Sequence, residues 1–395
     1  MTTTPDLPTL GNACPHIGRL NDLMRGLQEQ APVCRVQTPA GDEGWLVTRQ
    51  AELRALLLDD RIGKSHPDPD TMPRYVDSPL LDLTVQRDPE SARAVNTRMR
   101  ALLTPHFSAR RMSALRPLIA ERAAAAVDEI VAAGPPADLH GDLAVPVSFD
   151  VLCDLLGMPD RETFMALLAA PTTVGGGESG DEPDAAGFPL FGFLADVVTT
   201  KRANPADDLI SRLCASSTED AEVITMVATL SFSYLVTPHN ISVGLALLGS
   251  YPGQRDLVAA DPDLLKTAVE EVLRMGKTTE SLLPRYASED VEVGDVTIRA
   301  GELVLCDHYA PSYDDLVFDD PDRFDVTRSP NPHVAFSHGH WYCVGAPLAR
   351  MEMTEVFRAV VDRMPRLRLL VPLSQLDLEA TSRLGGGIAE LPATW

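Results

Sequence analysis

The chain has 395 residues, a formal net charge of −23 at pH 7 and a hydrophobic share of 45%. The negative charge argues against nucleic acids and anionic membranes as partners, because both repel an acidic surface. The hydrophobic share can fill a sizeable core, and the length fits one large domain or two to three smaller ones. We find no export signal and no apolar run of membrane-spanning length, which predicts a cytoplasmic protein.

The cysteines give a first restriction on the chemistry. There are six of them: Cys14, Cys34, Cys153, Cys214, Cys306 and Cys343. No two have C-x-x-C spacing, so the sequence favours neither a zinc site nor a thioredoxin-like redox centre. Without an export signal, disulfides are not expected, and the thiols are predicted to be reduced.

The N-terminal half predicts helices, one hairpin and two irregular segments. The predicted helices cover residues 18–29, 51–58, 92–103, 109–133, 143–157, 160–168, 190–201 and 207–215. Two strands at 33–36 and 44–48 predict a hairpin that turns at Ala40-Gly41-Asp42. The polar, proline-rich residues 60–85 predict a long loop. The glycine-rich residues 171–183 cannot pack a core and predict a flexible segment.

The C-terminal half is dominated by one apolar stretch. Residues 222–250 predict a single long helix that is apolar all round and therefore buried. Within it, Pro238 removes the backbone hydrogen bond to the carbonyl of Tyr234 and predicts a kink. An amphipathic helix follows at 264–275. Alternating residues at 291–298 and 302–305 predict a β-hairpin.

The stretch 336–347 combines one cysteine with two glycines and leads into a predicted helix. A cysteine at a helix start suits a thiolate metal ligand, because unpaired N–H groups and the helix dipole lower the thiol pKa. Pro347 fits the first helical turn, where no N–H is needed. Gly339 and Gly345 allow close approach of a flat partner. A free structural cysteine is the alternative for Cys343.

The pattern Phe-x-x-Gly-x-x-x-Cys-x-Gly resembles the haem-binding loop of the cytochromes P450. The resemblance extends from residue 33 to residue 395 and implies one domain over residues 1–395. It implies a mainly α-helical fold with small β-sheets, in which a triangular helical prism holds haem between a long central helix and the cysteine loop. Haem b is then the cofactor and Cys343 the axial ligand of its iron. The remaining implied haem contacts of this loop are Phe336, Gly339, His340 and Gly345.

The resemblance also implies haem contacts outside the loop. Arg100 lies where the family has a propionate-binding arginine, and Asn96 lies where it often has a histidine. Arg285, in Leu-Pro-Arg, resembles a second propionate-binding arginine. The loop itself departs from the family two residues before the cysteine. The basic residue usual there, which contacts a propionate, is replaced by Trp341.

Two further segments take their interpretation from the resemblance. Glu271 and Arg274 form the Glu-x-x-Arg of the family, and Arg323 belongs to a Pro-Asp-Arg-Phe segment. Together they imply a buried charged cluster that holds the cysteine loop in place. The segment near 171–186 corresponds to a lid over the substrate channel. The turn at 384–388 corresponds to one that dips into the substrate pocket.

The central helix departs most from the family, which carries Ala-Gly-x-acid-Thr at its middle. The acid and the threonine deliver protons during oxygen activation. Counted back from Pro252, the four family positions are Phe232, Ser233, Leu235 and Val236. The acid and the alcohol are both missing, and leucine and valine cannot relay protons. The ring of Phe232 would lie close to the iron.

Three interpretations of this departure are open. A local bulge could shift the register by one residue and bring Thr237 to the threonine position, since one residue turns a helix by about 100°. Substrate groups or waters could supply the protons, with Ser233 as a helper, which we favour. The chain could also perform no ordinary oxygen insertion.

The resemblance implies a haem-thiolate oxidoreductase or monooxygenase of secondary metabolism, acting on a small aromatic or cyclic-dipeptide-like substrate. The segments Gly44-Trp45-Leu46-Val47 and Leu391-Pro392-Ala393-Thr394-Trp395 resemble those of a mycobacterial member that couples two tyrosine rings of a cyclic dipeptide. Such coupling removes hydrogen atoms and tolerates a weak proton relay. Peroxide-dependent or non-oxygenating chemistry, or a silent binding module, are the alternatives.

Electrons are expected from a separate ferredoxin, because no flavin or nucleotide motif is present. The candidate docking residues are basic positions in an otherwise acidic chain: Arg110, Arg111 and Arg350.

Overall fold

The structure is a computed structural model that describes residues 7–10, 17–77, 82, 84–173, 188–276, 283–376, 378–379 and 387–395. Its contacts divide the chain into two compact units, each built from separate stretches of sequence. The first, here the sheet unit, comprises Met1–Arg98, Leu273–Phe324 and Arg328–Cys343. The second, here the helix unit, comprises Met99–Val272, Asp325–Thr327 and Val344–Trp395.

Thirteen α-helices lie in the described ranges. They are α1 Asp22–Gln30, α2 Gln50–Leu58, α3 Pro89–Leu103, α4 Ala109–Ala133, α5 Val145–Leu156, α6 Arg161–Thr173, α7 Phe188–Ala203, α8 Leu209–Ser216, α9 Asp220–Tyr234, α10 Val236–Ser250, α11 Pro252–Ala260, α12 Leu265–Met275 and α13 Ala346–Arg363. The strands are β1 Val33–Gln37, β2 Glu43–Val47, β3 Ile62–Gly63, β4 Ala137–Asp138, β5 Leu283–Ala287, β6 Val291–Val293, β7 Val296–Ile298, β8 Leu303–Cys306, β9 Arg368–Leu369, β10 Leu378–Glu379, β11 Gly387–Ile388 and β12 Pro392–Thr394.

Several helix ends follow directly from local chemistry. Asn21 begins α1 by accepting the Met24 N–H at 2.8 Å, which satisfies one of the free N–H groups of the first turn. Asp208 begins α8 in the same way, through the Ser211 N–H at 2.7 Å. Gly157 ends α5 in the left-handed conformation that favours glycine.

A five-stranded sheet with the order β1-β2-β8-β5-β3 forms the centre of the sheet unit. The predicted hairpin is present, with Val33 opposite Val47. Strand β8 pairs parallel with β2 and antiparallel with β5, so residues 303–306 belong to this sheet. This corrects the prediction that they pair with 291–298, because β6 and β7 form a hairpin of their own. The sheet buries a core that includes Val47, Leu53 and Val304.

The predicted central helix is divided in two. Helix α9 ends at Tyr234 and α10 begins at Val236. Between them, the Leu235 N–H donates to the Phe232 carbonyl at 3.3 Å, three residues back instead of four. The prediction of one continuous helix is therefore wrong, whereas the interruption lies where Pro238 was expected to cause it.

The core of the helix unit forms where long helices cross. Helix α13 buries Phe357, whose ring would lie 2.0 Å from a Cβ on Gly244 of α10. Only glycine fits that crossing. The stretch Asp220–Ser250 is, within the described residues, long and apolar enough to cross a membrane by length and composition. This corrects the prediction that no run reaches that length, although buried core helices meet the same test.

Candidate functional site

One thiol differs from the others that the structure describes. Cys34, Cys153, Cys214 and Cys306 are buried, whereas Cys343 is exposed, and none of these five forms a disulfide. Burial raises the pKa of Cys153 to about 12 and that of Cys306 to about 11. Such thiols stay protonated and unreactive. Cys14 lies outside the described residues. Cys343 is the described thiol best placed to bind a metal.

The cysteine loop is shaped by its backbone. The Cys343 N–H donates to the Phe336 carbonyl at 2.8 Å, which closes the loop on itself. Ser337 and Gly339 have positive φ angles of 65° and 57°. A Cβ on Gly339 would also lie 2.6 Å from Cδ2 of Leu58, so this position requires glycine twice over.

Helix α13 begins three residues after the thiol. Gly345 is its N-cap, and Pro347 lies in its first turn, as predicted from the sequence. Of the other predicted loop contacts, Phe336 is half-buried, with its ring 6.4 Å from that of Tyr342, and His340 is exposed.

Arg285 is buried in the sheet unit without a countercharge among the described residues. Its side chain is 3% exposed, and its Nε has no hydrogen-bond partner. Its Nη1 donates to the Pro284 carbonyl at 2.9 Å, and its guanidinium carbon lies 4.2 Å from the Trp341 ring centroid. Burial lowers the pKa of Arg285.

A buried cation without an anion is costly in free energy, so this arrangement fits a carboxylate supplied by a ligand. A haem propionate is such a carboxylate, and Cys343 in the same unit supplies the soft anionic ligand that haem iron accepts. The residues present therefore fit a haem. Arg285 would hold a propionate and Cys343 the iron. The predicted contacts Asn96 and Arg100 are both half-buried on α3 and, four residues apart, share one helix face.

The predicted residues of the central helix differ in their exposure. Ser233 is exposed, Val236 is 49% exposed, Phe232 is half-buried and Thr237 is buried. They flank the interruption at Leu235, where the regular turn of the helix is lost. The alternative in which Thr237 serves as the alcohol requires a local irregularity of this kind.

A buried acid in the helix unit escaped the sequence analysis. Glu352 of α13 is fully buried and accepts hydrogen bonds from the Tyr234 hydroxyl and, at 2.6 Å, from the Ser148 hydroxyl. Burial raises the pKa of Glu352 to about 7, although both hydrogen bonds oppose the shift. The group can therefore bind or release a proton near neutral pH. A glutamate placed between Met351 and Met353 was the available signal.

Two histidines of the helix unit were also missed. The rings of His140 and His239 stack with centroids 5.2 Å apart, and His140 Nδ1 lies 2.8 Å from the Ser242 hydroxyl. Burial, and secondarily His140, lowers the pKa of His239 to about 4, which keeps this imidazole neutral. His239 packs tightly against Gly387, at the described end of the predicted 384–388 turn. Residues 384–386 lie outside the described part.

The predicted charged cluster is only partly as expected. Arg274 is buried and donates to the carbonyls of Ser312 and Pro321 at 2.9 and 2.8 Å. Glu271 is buried and accepts the Asp325 N–H at 3.1 Å. The side chain of Arg323 is 61% exposed, so its predicted burial is wrong. Of the predicted lid at 171–186, residues 171–173 continue α6 and the remainder lies outside the described residues.

Comparisons with known proteins identify relatives of this chain. The sequence model of the family described as Cytochrome P450 matches residues 260–364. Pentalenolactone synthase of Streptomyces exfoliatus is 36% identical, over 99% of this chain and 100% of its own. Mycinamicin IV hydroxylase/epoxidase of Micromonospora griseorubida is 36% identical, over 93% of this chain and 94% of its own. The solved structure of substrate-free PimD, a polyene macrolide antibiotic pimaricin epoxidase, has 44% identity and a TM-score of 0.90, over 99% and 100%.

The chain therefore belongs to the cytochrome P450 family. The predictions of the P450 fold, of haem as cofactor and of oxidoreductase activity are confirmed. Two of the proteins named above are described as an epoxidase or a hydroxylase/epoxidase, which agrees with the expected monooxygenase of secondary metabolism.

Proposed function

We propose that the chain is a haem-thiolate monooxygenase that oxidises an intermediate of a natural-product pathway. The observation that carries this proposal is Cys343, an exposed thiol in a loop closed by its own backbone. Haem, when bound, supplies a reducible iron at which dioxygen is activated. The chain's part is to ligate that iron through Cys343 and to hold the propionates through Arg285 and Arg100.

We propose a polyene macrolide as the first substrate class to test. The support is the 44% identity to a structure described as a polyene macrolide antibiotic epoxidase, over nearly the full length of both chains. Mycinamicin IV hydroxylase/epoxidase points to related chemistry. A macrolide offers an alkene for epoxidation and C–H bonds for hydroxylation, so either product fits the monooxygenase class.

A small aromatic or cyclic-dipeptide-like substrate is the second candidate. The observation that favours it is the central helix, where Leu235 and Val236 replace the acid and the alcohol. Coupling of two phenol rings removes hydrogen atoms and inserts no oxygen, so it tolerates this loss. Dehydration or peroxide-dependent turnover would tolerate it too.

For oxygen insertion we propose that protons come from waters or substrate groups, with Ser233 as a helper. Ser233 is exposed and carries a hydroxyl one residue before Tyr234. Thr237 is the alternative, since its hydroxyl follows the interruption of the helix. Phe232 and Val236 would shape the space around the reacting atoms and exclude water there.

The experiment has two stages on the purified haem protein. The carbon monoxide complex of the reduced protein should show the thiolate-type Soret shift, and no haem band would overturn the proposal. Titration with polyene macrolides, other macrolides and cyclic dipeptides should then produce a low-to-high spin change with one class. A change with cyclic dipeptides alone would support the second candidate. Turnover with peroxide but not with ferredoxin would favour peroxide-dependent chemistry, and binding without turnover a silent binding module.

We further propose that a ferredoxin delivers the electrons and that the protein works in the cytoplasm. Arg110 and Arg111 are exposed at the start of α4, whereas Arg350 already pairs with Glu270 at 2.6 Å. The two exposed arginines are therefore the better docking candidates. Charge reversal at Arg111 should slow reduction by ferredoxin and weaken its dependence on salt. An unchanged rate and an unchanged salt dependence would refute this contact.

A further inference from the structure

The resemblance of the cysteine loop to the family implies a propionate-binding basic residue two positions before the cysteine. Trp341 occupies that position, and its indole supports the guanidinium of Arg285 at 4.2 Å. An indole offers a single N–H and no charge, so it cannot replace a cation that binds a carboxylate. If the haem is held as firmly here as elsewhere, another positive group is needed.

The sheet brings a second cation beside Arg285. Strands β3 and β5 are antiparallel, with Ile62 opposite Ala287 and Gly63 opposite Tyr286. The next pair in this register is Lys64 opposite Arg285. Residues directly opposite each other in an antiparallel pair have their side chains on the same face of the sheet. Lys64 therefore lies next to Arg285, on the same face.

The two cations are electrostatically coupled and uncompensated. Burial and, secondarily, the positive charge of Arg285 lower the pKa of Lys64 to about 8. Within the described part of the chain, neither side chain forms an ion pair with a carboxylate, and Nε of Arg285 has no partner. Two adjacent, poorly solvated cations repel each other, and only an anion between them would remove that cost.

We propose that Lys64 and Arg285 together bind one haem propionate, with Lys64 taking the place of the basic residue missing at position 341. The ligand is the carboxylate that the cofactor itself carries. Lys64 contributes a compact ammonium and Arg285 a planar fork, so one carboxylate can accept from both. Trp341 then positions Arg285 and is not itself a propionate donor. The inference rests on haem binding in the sheet unit through Cys343.

The test compares haem retention in three variants. Lys64→Gln removes the charge and keeps the size, and Lys64→Arg keeps the charge. Lys266→Gln, at an exposed position on α12, is the matched control. Haem transfer to excess apomyoglobin should be about tenfold faster from Lys64→Gln, since a hydrogen bond to a charged group is lost. The rate of haem transfer from Lys64→Arg and from Lys266→Gln should be within about twofold of wild type. The midpoint potential of the iron should fall in Lys64→Gln, because a nearby positive charge is removed.

Each outcome separates this inference from the proposed function. A wild-type protein without the thiolate-type carbon monoxide band would overturn the proposed function. A Lys64→Gln protein that has the band and retains haem like wild type would overturn only the role of Lys64. If Lys64→Gln does not fold, resonance Raman spectra of Lys64→Arg decide. The propionate bending modes should shift relative to wild type, and unshifted modes would refute the contact.

Discussion

The cysteine loop and the central helix differ in how their buried polar groups are compensated. In the loop, the backbone sets the geometry, and the buried cation Arg285 has no countercharge among the described residues. In the helix, the Tyr234 hydroxyl of α9 donates to Glu352 of α13, which also accepts a hydrogen bond from Ser148 of α5. The proposed propionate would compensate the cation of the first region, whereas the protein itself supplies the partners in the second.

The contrast shows that iron ligation and proton delivery can depart from the family pattern independently. The proposed iron ligand belongs to a short loop pattern, and the sequence keeps its Phe336, Gly339, Cys343 and Gly345. The expected proton relay depends on two side chains of a helix, and the sequence has Leu235 and Val236 at the positions that the resemblance assigns to them. The neighbouring Tyr234 instead donates a hydrogen bond to Glu352 of α13. The predictions below test how far this contrast holds.

The largest effect is expected from the loss of the iron ligand. Cys343→Ser replaces a soft thiolate by a hydroxyl that is not ionised at neutral pH. We expect complete loss of the thiolate-type Soret shift in the carbon monoxide complex and loss of monooxygenase turnover. Cys34→Ser is the control, because that thiol bonds only to the backbone carbonyls of Leu27 and Ala31. A normal spectrum in Cys343→Ser would refute the assignment of the ligand.

The second effect concerns the acid of the helix unit. The pKa of Glu352 is about 7 in the folded protein and 4.5 as a free group, so folding favours its protonated form. The stability from this group is fully present below about pH 4.5 and is lost as the pH rises through about 7. We expect Glu352→Gln to remove a fall of about 3 kcal/mol in the unfolding free energy across this range.

Urea unfolding followed by tryptophan fluorescence at pH 5, 6, 7 and 8 measures this dependence. Glu162→Gln, at an exposed position in the first turn of α6, serves as the control and should keep the wild-type slope. Equal slopes in wild type and Glu352→Gln would show that the raised pKa does not contribute. In that case the contrast between the two regions would rest on hydrogen bonds alone.

The third effect tests the backbone geometry of the loop. Gly339→Ala should cost about 1 to 3 kcal/mol of unfolding free energy, because an L-residue at φ 57° is strained and the new Cβ meets Leu58. Gly253→Ala in α11 is the control, since nothing lies within 4 Å of its Cβ position. It should be neutral or stabilising by up to about 1 kcal/mol. Thermal unfolding of both haem proteins decides the point.

The smallest effect is expected from restoring the alcohol. Val236→Thr places a hydroxyl at the family position and changes the volume little. We expect about threefold better coupling of electron use to product, equivalent to ~0.7 kcal/mol, because the neighbouring acid is still missing at Leu235. Val236→Ala controls for the change in shape. Unchanged coupling in the threonine variant would mean that protons arrive by a route that does not pass residue 236.

The site could be predicted from the sequence only where its residues are close in the chain. The loop around Cys343 and the positions missing from the central helix followed from short patterns. The exposure of Arg323 could not be predicted, because a charged residue in a Pro-Asp-Arg-Phe segment carries no signal of its burial. The strand at 303–306 was assigned to the wrong partner because alternation predicts a strand without naming its neighbour.

The sequence by itself determined the family, the helix content and the kink near Pro238, and it led to Cys343 as the proposed iron ligand, since each depends on local chemistry or on a short run of residues. Only the tertiary structure decided that Lys64 lies beside Arg285 and that Glu352 meets Tyr234 and Ser148. These partners are separated by 118 to 221 positions. Strand register and helix packing create such contacts, and their effect on pKa depends on burial, which no local pattern specifies.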